Sequence, residues 1–280
     1  MKEITPHADR YAVMGNPIAH SKSPQIHKWF AEQTSQQMRY DAIPVERGNF
    51  PRAVADFHAQ GGKGLNITVP FKLEAWALAE LRSPRAELAG SVNTFLWQED
   101  GKLFGDNTDG AGLIRDLVVN HGVQLVDMDI LLLGAGGAAR GVLHPLLEQR
   151  PLQLVIANRT PDKALSLANE FSDYGPVVGG GFKDVAEHTF DLVINATAAS
   201  LAGEVPPIPD GALRAGSCCY DMMYASRPTA FLRWGKQHGA GLALDGLGML
   251  VEQAAESFFL WRGLRPETSQ VIRALRQSRN

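Results

Sequence analysis

Apolar and polar positions follow two rhythms along this chain, and the two trade places nearly throughout. Short runs of strand period read "RYAVMG" (10–15), "RYDAIPV" (39–45), "GLNITV" (64–69) and "SVNTFLW" (91–97). Helical periodicity fills the intervals, from Pro24 to Ser35, Phe50 to Ala59 and Glu74 to Leu81. A further helix, "GAGLIRDLVVNHG", follows Asp109, and then a second series begins. Its strands are "DILLLG" (129–134), "LQLVIAN" (152–158), "FDLVINA" (190–196), "SCCYDMMY" (217–224) and "GLALDG" (241–246), with helices at 137–149, 161–171 and 228–238. Two helical segments close the chain, 247–261 and 266–278, and the first carries Phe258, Phe259, Leu260 and Trp261, which need a core. Strands alternating with helices predict an α/β protein. The Gly/Pro-rich stretches 175–181 and 203–211 read as loops inside the second series.

One strand breaks its own pattern. In "LNITVPFK" (65–72), Ile67, Val69 and Phe71 alternate as an inward face, with Asn66, Thr68 and Pro70 between them. Proline removes a ladder donor, so the strand is expected to end near Val69. Thr68 and Lys72 then lie at or just past its C-terminal end.

Composition narrows the classes. A chain of 280 residues is comfortable for two domains. The formal net charge of −3 gives no reason to expect nucleic acid or an anionic membrane surface as partner. No apolar run approaches the roughly 18 residues of a membrane span. The N-terminal "MKEITPHADRY" lacks the apolar core of a secretory signal, so a cytoplasmic protein is expected. On that reading Asn66-Ile-Thr, Asn158-Arg-Thr and Asn195-Ala-Thr are not glycosylation sites. The two cysteines, Cys218 and Cys219, are adjacent in an apolar run, which suits buried bystanders better than a disulfide or zinc site.

The first chemical signal is "ILLLGAGGAARGVLHPLL", where Gly134, Gly136 and Ala139 follow an apolar strand and open a helix. Gly134 permits the tight turn, Gly136 admits a pyrophosphate to the backbone, and Ala139 keeps helix and strand close. The helix N-terminus offers free N–H groups to phosphates. A preference for NAD would call for an acidic residue about 20 residues on. Asn158, Arg159 and Thr160 stand there instead, with Lys163 following, so a 2′-phosphate is favoured and the expected cofactor is NADP. Thr160 is also placed to cap the helix that starts at Pro161.

The first half offers weaker signals. "GNPIAHSKSP" sets Ser21 and Ser23 before a helix beginning at Pro24, where Ser23 is either a plain N-cap or part of a carboxylate site. His20 and His27 lack metal-ligand spacing, and no metal site is expected. Asn93 interrupts an apolar alternation, and Asp106, Asn107, Thr108 and Asp109 precede glycine in what could be an ordinary turn.

Taken together, "GNPIAHSKSP", "NITVPFK", "GSVNT", "GDNTDG", "LLGAGGAAR", "NRT", "DMMY" and "DGLGMLVEQAAESF" resemble the shikimate dehydrogenase family, from about residue 10 to about residue 262. The resemblance implies an N-terminal α/β catalytic domain (1–110 with 247–280) and an inserted, doubly wound Rossmann-type NADP-binding domain (111–246), with the active site in the cleft between them. It implies an oxidoreductase in which NADPH reversibly reduces 3-dehydroshikimate to shikimate, on the route to chorismate and the aromatic amino acids. By the same resemblance Ser21 and Ser23 would bind the substrate carboxylate, and Thr68, Asn93, Asp109, Tyr224 and Gln253 its ring hydroxyls. Lys72 would be the acid/base residue with Asp109 as partner. Gly134, Ala135, Gly136, Gly137 and Ala138 would cradle pyrophosphate, Asn158 to Lys163 the 2′-phosphate, and Met222 and Gly246 would line the nicotinamide side.

Two departures are small: "GSVNT" for the more usual "GAVNT", and "NATAAS" for "NATS". The rivals are a quinate/shikimate dehydrogenase of mixed specificity and a non-catalytic NADP-binding sensor. Arg159 leans against the first, because such paralogues often carry an acidic residue there and use NAD. Retention of Lys72 and Asp109 leans against the second. The expected partner is a small-molecule substrate, in a monomer or homodimer.

Overall fold

The computed structural model describes residues 8–278. Residues 1–7, on which the N-terminal reading partly rests, lie outside the described residues. The chain divides into two compact units, Met1–Gly112 with Val251–Leu275, and Leu113–Leu250 with Arg276–Asn280.

The first unit is built on β1 (Asp9–Gly15), β2 (Met38–Pro44), β3 (Gly62–Ile67), β4 (Leu81–Arg82), β5 (Thr94–Trp97) and β6 (Leu103–Asp106). They form one sheet in the order β2-β1-β3-β5-β6-β4, with β1 parallel to β2 and β3, and β5 antiparallel to both its neighbours. On one face Met14, Leu65, Ile67, Phe71 and Phe95 pack with Phe50, Val54 and Phe57 of the helix Phe50–Ala59. On the other, the helix Leu247–Arg262 brings Phe258, fully buried, and Trp261, stacked on Tyr11. Phe259, expected to need a core, stays half-exposed instead, because it falls on the outer side of that helix.

Central strand β3 differs from the alternation expected of it. Both its faces are covered, so Asn66 is buried beside Leu65 and Ile67. The strand ends at Ile67, two residues before the expected limit, and Val69 is 63% exposed rather than inward. Residues 68–71 make a turn closed by the Phe71 N–H on the Thr68 carbonyl, and Lys72 opens the helix Lys72–Leu78. Three elements of this unit went unforeseen: β4, β6 and the helix Pro84–Ala89. The last carries a legible start, with Ser83 accepting from the Ala86 N–H and Pro84 in the first turn.

The second unit holds β7 (Asp129–Leu133), β8 (Gln153–Asn158), β9 (Val177–Gly181), β10 (Phe190–Asn195), β11 (Leu213–Asp221) and β12 (Leu242–Asp245). All its pairs are parallel, in the order β12-β11-β10-β7-β8-β9. Counted from β7 this is the order of the doubly wound dinucleotide-binding sheet, which reverses direction between β7 and β10. Strand β9 corrects the reading of 175–181 as a loop. Its glycines serve close packing: a Cβ on Gly179 would stand 2.2 Å from the Ala164 carbonyl oxygen of the helix Pro161–Phe171. Cys218 and Cys219 are buried free thiols in β11, and burial pushes both up to about 12.

Candidate active site

In the first unit the ends of β3, β5 and β6 converge. The β3 backbone runs into Thr68, whose N–H reaches the Met14 carbonyl, and then turns to present Lys72. The other partner comes from β6. Asp106 ends that strand, held by a two-pronged Arg85 guanidinium, the Ser83 hydroxyl and the Asn107 N–H. Burial pushes its carboxyl up, but Arg85, Ser83 and the Asn107 N–H together outweigh burial and the net shift is downward. Asn107 is pinned in turn by donating to the carbonyl and hydroxyl of Ser91, so the serine of "GSVNT" has a use of its own. Asn107 Oδ1 accepts from the Asp109 N–H at 3.1 Å.

This scaffold sets Asp109 Oδ2 2.5 Å from Lys72 Nζ. The pair is partly buried, the side chains 29% and 17% exposed, so it is reachable yet only weakly screened by water. Asp109 Oδ1 accepts from Asn93 Nδ2 at 2.8 Å, which fixes the carboxylate plane. Gln253 Oε1 lies 3.4 Å from Asn93 Nδ2 and 3.3 Å from Thr108 Oγ1. Thus Lys72, Asp109, Asn93 and Gln253 form one cluster. Ser21 and Ser23 stand together elsewhere in the unit, the Ser21 hydroxyl accepting from the Ser23 N–H at 3.3 Å. Ser23 is not the helix cap weighed from the sequence: Lys22 holds that position without a side-chain bond, and Ser23 begins the helix.

In the second unit the expected cofactor residues gather at the C-terminal ends of strands. Gly134 follows β7 at φ +105°, a conformation that favours glycine. Gly136 and Gly137 meet nothing where a Cβ would stand, leaving the backbone open. The helix Gly137–Glu148 has no side-chain cap and no acidic residue in its first turn. Its free N–H groups and positive end therefore suit a pyrophosphate. At the end of β8, Asn158 Nδ2 donates to the Thr160 carbonyl, shaping the turn that carries Arg159. Thr160 holds the N-cap position without using its side chain there. Arg159 and Lys163 are exposed, and no acidic side chain occupies this turn before Asp162. These features fit a dinucleotide bearing a 2′-phosphate.

Met222 and Tyr224 lie just past β11, the Gly246 N–H donating to the Met223 carbonyl at 3.1 Å. Buried Asp221 supports that segment. It accepts from Ser200 Oγ, Thr229 Oγ1, Asn195 Nδ2 and the Met223 N–H. Ser200 is the displaced serine of "NATAAS", so that departure too keeps a defined contact. Among the described residues no cluster of His, Cys, Asp or Glu is arranged to hold a metal ion. Sequence reasoning missed Arg85, Asn66 and Asp221 as supports. Only Asn66 left a trace, a polar residue in an otherwise apolar central strand.

Residues 13–95 match the shikimate dehydrogenase substrate binding domain, 116–202 the shikimate / quinate 5-dehydrogenase family and 246–276 the shikimate 5′-dehydrogenase C-terminal domain. The chain is 59% identical over 268 residues to a shikimate dehydrogenase (NADP(+)) of Alkalilimnicola ehrlichii, covering 96% of this chain and 98% of that one. The chain belongs to the shikimate dehydrogenase family. A second relative, shikimate dehydrogenase (NADP(+)) of Nitrosococcus oceani, is 56% identical over 96% of this chain and 95% of its own. In structure, shikimate 5-dehydrogenase of Thermus thermophilus in complex with NADP(H) and shikimate superposes with a TM-score of 0.85 at 35% identity. That match covers 96% of this chain and 99% of the other. Among the described residues no helix is long and apolar enough to cross a membrane.

Proposed function

We propose that this protein catalyses the reversible NADPH-dependent reduction of 3-dehydroshikimate to shikimate. The observation that carries the reading is the Lys72–Asp109 pair, 2.5 Å apart at the end of β3, in a chain whose relatives are NADP-dependent shikimate dehydrogenases. When bound, NADPH supplies the hydride, and the protein supplies position and a proton. Ser21 and Ser23 hold the substrate carboxylate, while Thr68, Asn93, Tyr224 and Gln253 hold the ring hydroxyls. Lys72 Nζ donates a proton to the substrate oxygen as the ketone becomes an alcohol, and recovers it in the reverse direction. Asp109 keeps the ammonium aimed. The helix N-terminus at Gly136 to Ala138 holds the pyrophosphate, with Gly134 and Ala135 shaping the turn. Asn158, Arg159, Thr160 and Lys163 hold the 2′-phosphate, and Met222 and Gly246 flank the nicotinamide. Two unpaired thiols suit a reducing cytoplasm as the place of reaction.

The test is a matrix of shikimate or quinate with NADP or NAD, followed by absorbance of the reduced cofactor. Shikimate with NADP is expected to give the highest kcat/KM. Faster turnover of quinate with NAD would favour the mixed-specificity rival, and no turnover of any pair would favour the sensor.

A further inference from the structure

Behind the acid–base pair runs a buried chain of hydrogen bonds whose polarity is set at both ends by groups that cannot reverse. The Thr108 backbone N–H can only donate, and it lies 2.9 Å from Asn93 Oδ1. That fixes the Asn93 amide with its nitrogen toward Asp109 Oδ1, at 2.8 Å, and toward Thr108 Oγ1, at 3.0 Å. Both Asn93 N–H bonds are thereby committed. At the far end the Asn93 backbone carbonyl can only accept, and Asn66 Nδ2 lies 3.3 Å from it. That turns the Asn66 nitrogen toward Ser257 Oγ, at 2.9 Å, and Thr94 Oγ1, at 3.0 Å. Its oxygen faces the Tyr40 hydroxyl at 2.7 Å.

Thr94 joins the two amides. It has one proton, and an Asn66 N–H already occupies a lone pair on its oxygen. Asn93 Oδ1, 2.9 Å away, can only accept, so a bond there uses that proton, while Ser257 Oγ, 2.8 Å away, is the competing acceptor unless it donates to Thr94 itself. The sheet register makes this possible, since Asn66 and Thr94 are directly paired across β3 and β5. The links Asn66–Thr94–Asn93–Asp109–Lys72 measure 3.0, 2.9, 2.8 and 2.5 Å in turn. Asn66 is 6% exposed and Thr94 is fully buried, so water cannot substitute for a lost partner at small cost.

We infer that Asn66 and Thr94 are positioning residues for the Lys72–Asp109 pair, acting through the Asn93 amide. The inference rests on the proposed acid–base role of Lys72. With the chain intact, the Asn93 carboxamide has one orientation, and Asp109 presents its second oxygen to Lys72 in one geometry. Without Asn66, Ser257 Oγ has a lone pair free to take the Thr94 proton, and Asn93 then loses the bond that backs its oxygen. Asp109 then holds Lys72 less rigidly at the moment of proton transfer.

The experiment compares Asn66→Ala, Thr94→Val and Thr94→Ser with wild type, measuring kcat, both KM values, the solvent deuterium isotope effect on kcat and thermal unfolding. Asn66→Ala and Thr94→Val are expected to lower kcat about 10- to 100-fold, the range expected for a misplaced catalytic group. KM for NADPH should change by less than about twofold, because binding of the cofactor is untouched. The solvent isotope effect should rise as proton transfer becomes limiting. Thr94→Ser, which restores the hydroxyl, should recover most of the rate. Folded variants with wild-type kcat and isotope effect would overturn the inference, as would a loss of Tm with no change in either. If Asn66→Ala does not fold, Thr94→Val, a nearly isosteric change, decides by the same criteria. Lys72→Ala separates the two levels. A Lys72→Ala enzyme with wild-type kcat would overturn the acid–base reading, and this inference with it. An impaired Lys72→Ala beside unimpaired Asn66 and Thr94 variants would overturn this inference alone.

Discussion

His27 makes the fold acid-sensitive by a calculable amount. The residue is fully buried on the helix Ser23–Gln33, stacked on Tyr40 at 4.1 Å and bordered by Phe30, Phe258 and Trp261. Among the described residues neither ring nitrogen has a hydrogen-bond partner. Burial lowers its pKa from 6.5 to about 3, an effect only partly offset by the Asn66 amide nearby. The unfolded chain takes up a proton below 6.5 that the folded chain refuses until about 3, so stability is full above 6.5 and falls as pH drops through that window. Between pH 7 and pH 4.5 this one group should remove about 2.5 kcal/mol, at 1.36 kcal/mol per unit. Urea unfolding of wild type and His27→Phe at both pH values measures it. Subtracting the two acid-induced losses cancels groups that titrate alike in both proteins. The loss should be smaller in His27→Phe by about 2.5 kcal/mol. Equal losses in the two proteins would refute the reasoning and place a proton on the folded-state histidine.

Other outcomes follow from particular contacts. Arg159→Asp should raise KM for NADPH by about 10- to 100-fold, the worth of a charge-assisted hydrogen bond, while NADH is unaffected or improved. An unchanged preference between the two cofactors in steady-state kinetics would contradict the assignment of the β8 turn. Arg85→Ala would leave Asp106, 2% exposed, with only Ser83 and Asn107 as partners, and should cost about 3 kcal/mol in chemical unfolding. A loss below about 1 kcal/mol would mean that the ion pair behaves as a surface one.

The central parallel strands of the second unit were legible because they hold continuous apolar runs, as burial on both faces demands. β7 reads Asp-Ile-Leu-Leu-Leu and is buried from Ile130 to Leu133. β9 was illegible for the opposite reason. Its Gly179–Gly181 run carries no side-chain pattern, and only the neighbouring helix reveals why glycine is needed there. Around the site, residue types were readable but partnerships were not. Lys72 and Asp109 lie 37 positions apart, Asn66 and Ser257 lie 191 apart, and local pattern cannot encode such pairings. Asn66 was assigned to the polar side of a strand by its alternation with Leu65 and Ile67. The helix Leu247–Arg262, laid over that side, made the polar side a second buried face.

The central claim is that Lys72 moves the proton, and steady-state kinetics of Lys72→Ala with shikimate and NADP test it most directly. The geometry predicts a fall in kcat of about 10²-fold or more with only a modest change in the KM for shikimate. A kcat near wild type, with the whole effect in KM, would make Lys72 a binding residue and contradict the account.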